Sequence, residues 1–130
     1  MAIFIFPCAA LAQEREQTPE EKKQEKEFYE WIDKEVKRLT ESLQLEYWQE
    51  FYADSILTHD YLALRDEIND LSKNKISNTD IYVNVQDKWM EQIYNAFHKI
   101  LNEEQWTKYL KQGAARDKKN RDKRKAKAKK

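Results

Sequence analysis

The chain has 130 residues, room for one ordinary domain and not for two, and its 24 basic and 24 acidic residues cancel to a formal charge of zero. That cancellation hides a division: from Lys111 onward eleven basic residues meet two acidic ones, a net +9, while the remainder carries 13 basic and 22 acidic, a net −9. One glycine, two prolines and a single cysteine exclude a hairpin-rich β fold, a glycine-lined phosphate loop and a disulfide framework.

The first segment, MAIFIFPCAALAQ, has no charged side chain, and Ala10-Leu11-Ala12 before Gln13 fits the small-x-small pattern of signal peptidase. Residues 1–12 are predicted as a secretory signal peptide whose basic n-region is missing or truncated, and residues 13–18 as a short linker. A transmembrane anchor needs about 20 apolar residues, more than this run supplies. The alternatives are a buried strand and a lipid-modified Cys8, for which Ile5-Phe6-Pro7 is a poor recognition sequence. Cleavage after Ala12 leaves a chain without cysteine, compatible with an oxidising compartment.

A helical domain is predicted over residues 19–113. It opens with Thr18 as N-cap, Pro19 at the first helical position and Glu21 completing a capping box. Phe28, Ile32, Val36, Leu39 and Leu43 follow at steps of three and four, the mark of an amphipathic helix. A second helix, from about Leu45 to Leu71, carries Trp48, Phe51, Tyr52, Ile56, Leu64, Ile68 and Leu71 as its apolar stripe, with Thr58 placed to cap a reset. KNKISNTD reads as a loop in which Ser77 or Asn78 caps the next helix. Ile81, Val85, Trp89, Ile93, Phe97 and Ile100 form a third stripe, and Trp106, Tyr109 and Leu110 begin a fourth. Residues 114–130 are predicted as a basic tail.

Leu, Ile, Val and Phe number only 22 after residue 12, all between Phe28 and Leu110, few for a closed globule. A second copy of the chain would cover what one leaves bare, which favours an antiparallel homodimer.

Leu101-Asn102-Glu103-Glu104-Gln105 has the layout of a helix start: Asn102 caps, Gln105 reaches back to the cap amide, and Leu101 staples onto Trp106. Leu45-Glu46-Tyr47-Trp48-Gln49 repeats the Leu-x-x-x-Gln spacing 56 residues earlier, but Glu46 is a poor cap, so this copy reads as lying inside a continuous helix.

Over Leu39 to Leu110 the chain resembles the Spy/CpxP family of periplasmic proteins, whose hallmark is two Leu-Thr-x-x-Gln motifs on an exported, charge-rich helical chain. EQIYNAFHKILNEEQWTKYL is similar to the second motif with its preceding helix, and LQLEYWQEF to the first, with Glu46 and Asn102 in place of the threonines. The resemblance implies an all-α fold of long amphipathic helices, an elongated helical hairpin forming an antiparallel, cradle-like homodimer with coiled-coil character. It also implies a soluble periplasmic stress-response protein that binds unfolded or stress-damaged envelope proteins without ATP, or one that restrains an envelope stress sensor. Leu45, Gln49, Leu101, Asn102 and Gln105 are then structural motif positions.

Holding partly folded chains needs no reaction, only a weakly apolar face, and Tyr and Trp suit one because they give large contact area while tolerating water. Tyr29, Trp31, Tyr47, Tyr52, Tyr61, Tyr82 and Tyr94 are the candidate client-binding residues, against the plain alternative that such stripes pack in a core or dimer interface. Arg116, Lys118, Lys119, Arg121, Lys123, Arg124 and Lys125 are the candidate electrostatic contacts, toward a membrane sensor domain, an anionic surface or the chain's own acidic body. Nucleic acid ranks behind these partners for an exported protein, and a merely solubilising helix extension is the bland alternative. His59 and His98 lie 39 positions apart without metal-ligand companions, and no catalytic motif is found, so neither an enzyme nor a cofactor is expected.

Overall fold

The computed structural model describes residues 16–128. The expected signal peptide, residues 1–12, lies outside the described residues. The described chain is all-α: α1 (Pro19–Leu43), α2 (Tyr47–Lys73), α3 (Thr79–Ile100), α4 (Glu103–Tyr109), a wide π-type turn at Leu110–Ala114, and α5 (Ala115–Ala128). Among the described residues no helix is long and apolar enough to cross a membrane.

The chain divides after Trp31 into two units. In the described part of the first, the Glu21 amide donates to Thr18 Oγ1 at 3.1 Å, which is the expected cap at the start of α1. Phe28 and Tyr29 meet edge to face at 5.3 Å within this unit.

The second unit holds the core. Ile32, Val36, Leu39 and Leu43 of α1, Ala53 and Leu57 of α2, Ile93 and Phe97 of α3, and Leu101 are its buried apolar residues. With one glycine available, two helix ends are closed by other residues in the left-handed region, Gln44 at φ 55° and Lys75 at φ 59°. In each case the next amide reaches back five residues, Leu45 to the Thr40 carbonyl at 3.1 Å and Ile76 to the Leu71 carbonyl at 3.0 Å. Those bonds satisfy carbonyls that a helix end otherwise leaves open. Asn78 caps α3, its Oδ1 accepting from the Asp80 amide at 2.9 Å.

Helix α2 departs from its expected face. Its buried residues are Gln49, Ala53, Leu57 and Asp60, whereas Trp48, Phe51 and Tyr52 are exposed at 48%, 64% and 50%. It also runs unbroken through Thr58, whose hydroxyl donates to Asp54 Oδ1 at 3.2 Å instead of capping a new turn. Periodicity treats every aromatic as a core candidate; what selects the buried face here is the junction at the start of α2.

Candidate functional site

Both Leu-x-x-x-Gln segments are helix starts, and they meet. Glu46 is the N-cap of α2, and its backbone amide donates to Gln49 Oε1 at 2.8 Å. The expectation that Leu45–Gln49 lies inside a continuous helix is therefore corrected: Gln44 ends α1 in a left-handed conformation and a new helix begins at Tyr47. At the second copy the Asn102 amide donates to Gln105 Oε1 at 3.0 Å, and the Gln105 amide to Asn102 Oδ1 at 2.8 Å, the reciprocal box expected there.

The two glutamines then bond to each other. Gln49 Nε2 donates to Gln105 Oε1 at 2.6 Å and Gln105 Nε2 to Gln49 Oε1 at 3.0 Å. Each also reaches the end of the helix that precedes the other motif: Gln49 Nε2 donates to the Ile100 carbonyl at 2.8 Å, and Gln105 Nε2 to the Leu43 and Gln44 carbonyls at 3.4 and 3.3 Å. Both side chains are buried, at 2% and 6% exposure, so the amides must find their partners within the protein. One pair of side chains thus joins the end of α1, the start of α2, the end of α3 and the start of α4. Of the two motif leucines, Leu101 is buried and Leu45 half-buried.

With Gln49 and Ala53 turned inward, the 3.6-residue repeat turns positions 47 and 51 outward and 48 and 52 to the flank. Tyr47 is 89% exposed, the most open of the large hydrophobic residues among those described. Tyr52 meets Trp48 and Phe51 edge to face at 6.1 and 5.6 Å, so the rings form one contiguous surface. Trp48 Nε1 donates to Glu46 Oε2 at 3.0 Å, which places a carboxylate at its rim. Trp48 and Phe51 belong to this surface beside Tyr52, although only Tyr52 of the three is a client-binding candidate in the sequence.

The remaining candidates divide. Tyr29 and Trp31 are exposed on the first half of α1. Tyr61, Tyr82 and Tyr94 are half-buried and engaged: the Tyr61 hydroxyl on Met90 Sδ, the Tyr82 hydroxyl on the Ile76 carbonyl, the Tyr94 ring edge-on to Trp106 at 4.9 Å. Burial pushes the Tyr61 phenol up, and pushes that of Tyr109 up to about 12.

The basic segment is helical and docked on α3. Lys118 Nζ and Arg121 Nε bond Glu91 at 2.6 and 3.1 Å, and Arg124 holds Asp87 through two bonds of 2.8 Å. Arg121 is only 8% exposed and lies over the Tyr94 ring, as does Lys118. Arg116, Lys119, Lys123 and Lys125 are exposed.

A shallow groove of about 560 Å³ is lined by Ser55, His59 and Asp60 of α2 and by residues of α3. His59 Nδ1 lies 2.8 Å from Asp60 Oδ1, but the Ser55 hydroxyl donates to the Phe51 carbonyl at 3.1 Å and is not turned to the imidazole. The nucleophile–base contact that hydroxyl activation requires is missing from this groove. Among the described residues no group of three His, Cys, Asp or Glu side chains could hold a metal ion.

No family model, curated protein or solved structure matches this chain. Among the described residues, Tyr47, Trp48, Phe51 and Tyr52 at the start of α2 make up four of the seven exposed large hydrophobic residues.

Proposed function

We propose that the protein is an ATP-independent, chaperone-like binder of unfolded or stress-damaged envelope proteins, exported to the periplasm and acting as a homodimer of the Spy/CpxP type. The observation that carries this reading is the exposed face of Tyr47, Trp48, Phe51 and Tyr52 on the first two turns of α2. Large rings in water favour contact with the apolar segments that an unfolded chain exposes, and a soluble monomer seldom leaves so many together without use.

The magnitude suits holding without trapping. About 400 Å² of ring surface at about 25 cal/mol per Å² gives about 10 kcal/mol of gross attraction. Loss of translational, rotational and chain freedom on association takes most of that away, so capture is reversible without an energy source.

The test is light scattering of reduced α-lactalbumin mixed with the full protein at near-equimolar ratio. Wild type is expected to suppress aggregation, and the Trp48→Ser/Phe51→Ser variant to lose most of that effect with its helicity intact. Absence of suppression by wild type, or equal suppression by the variant, contradicts the reading.

A further inference from the structure

Helix α5 has two faces of the same charge, and only one of them is neutralised. Arg121, Arg124 and the flanking Lys118 face α3, where Glu91 and Asp87 receive them. Arg116, Lys119, Lys123 and Lys127 are all exposed. At 100° per residue they fall within an arc of about 80° on the opposite side of the helix. The helix's acids leave this stripe clear: Asp122 bonds Lys118 at 3.1 Å, and Asp117 touches only its first member, Arg116, at 4.0 Å. Two more lysines, Lys129 and Lys130, follow in sequence.

We infer that this outward stripe is a docking surface for an anionic lipid bilayer. Charge complementarity names a polyanion, and the side chains choose among polyanions. Two of the three arginines of α5, side chains able to grip a phosphate through two parallel bonds, are already engaged with α3, Arg124 with Asp87 and Arg121 with Glu91, which leaves Arg116 as the one outward arginine. Three of the four outward cations are lysines, point charges suited to the diffuse potential of a headgroup layer. The helix has no aromatic residue on which a base could stack, which single-stranded nucleic acid would want. A flat surface needs only one face of α5, and the stripe occupies one face. The ion pairs to α3 hold the stripe already helical, so binding orders nothing further. This inference is independent of the ring cluster on α2.

The experiment is co-sedimentation of the full protein with phosphatidylcholine vesicles containing 30% phosphatidylglycerol, against pure phosphatidylcholine vesicles and a 20-mer oligonucleotide, all at 50 mM salt. Binding is expected to the anionic vesicles alone and to fade by 300 mM salt. Lys119→Gln/Lys123→Gln/Lys127→Gln is expected to bind about a hundredfold more weakly. The corresponding triple arginine variant should retain binding, with helicity of both variants checked by circular dichroism. Equal binding to neutral vesicles, undiminished binding by the glutamine variant, no vesicle binding, or tighter binding of the oligonucleotide overturns the inference.

Discussion

Gln49 and Gln105, 56 residues apart in the chain, exchange two hydrogen bonds through their side-chain amides, at 2.6 and 3.0 Å, and each also closes the capping box of its own helix. Every polar atom of the two amides has a partner, so the pair meets the condition under which a buried polar network fixes one arrangement. Removing one glutamine strands the other. Gln105→Ala leaves the Asn102 amide and the Leu43 and Gln44 carbonyls without this partner, and removes both bonds that Gln49 exchanges with it. The expected cost is about 2–3 kcal/mol in urea denaturation. In a double-mutant cycle Gln49→Ala and Gln105→Ala should be non-additive by about 1 kcal/mol or more; additive losses would mean that the two sites act separately.

The face of α2 is open to a paired test. Phe51→Ser at an exposed ring is expected to change stability by less than about 0.5 kcal/mol. Leu57→Ala, at a side chain 4% exposed, should cost about 3 kcal/mol. The reverse order in thermal or urea unfolding would return Phe51 to the core.

Backbone conformation gives two substitutions of opposite sign. Gly113 sits at φ 128° with only Arg116 Nη2 near the position of an added Cβ, at 3.9 Å, so Gly113→Ala is opposed by the backbone and not by crowding. It should cost about 1–2 kcal/mol. Gln44, at φ 55°, is a side-chain-bearing residue where glycine is at ease, and Gln44→Gly should stabilise by about 1 kcal/mol. Melting temperatures of the two variants should move in opposite directions.

Acid should loosen α5 from α3. At Glu91, burial works to raise the carboxyl, but hydrogen bonds from Lys118 and Arg121 outweigh it and hold the group below its ordinary value of 4.5. Glu67 is lowered too, chiefly by its hydrogen bond from Lys88. A carboxyl whose folded pKa is depressed contributes stability that is complete above the unfolded value and disappears as pH falls through the folded one. The urea midpoint is therefore expected to hold from pH 7 to about 5 and to fall below pH 4.5. Glu91→Gln should cost about 2 kcal/mol at pH 7, less than the about 3–5 of a fully buried pair because Glu91 stays a third exposed, and should flatten the acid limb. An acid limb unchanged in that variant would place the titrating group elsewhere.

Local signals made α1, α3 and the second motif legible in the sequence. Thr18, Pro19 and Glu21 mark the start of α1, the stripe from Ile32 to Leu43 marks its buried side, and Asn102 with Gln105 marks α4. The first motif was not legible from Glu46, because the strength of a capping residue is a local property, whereas the break after Leu43 is held by carbonyls that bond Gln105 from 61 and 62 positions away. The equal spacing of the two motifs was the available signal: if Gln49 must face inward to match Gln105, then Ala53, Leu57 and Asp60 follow it, and Phe51 cannot be core. The docking of α5 was hidden for a similar reason. A run of like charge reads as solvated until the carboxylates of Asp87 and Glu91, one turn apart on α3, are seen to face it.

Site-specific photo-crosslinking tests the proposed role of the ring surface most directly. A benzophenone side chain is placed at position 47, at 51, or at the exposed control position 69 of the same helix, and the protein is irradiated with reduced α-lactalbumin. Crosslinks to the client from 47 and 51 and few from 69 are expected. Equal yields from all three positions, or none from 47 and 51, would contradict the assignment of client holding to the start of α2.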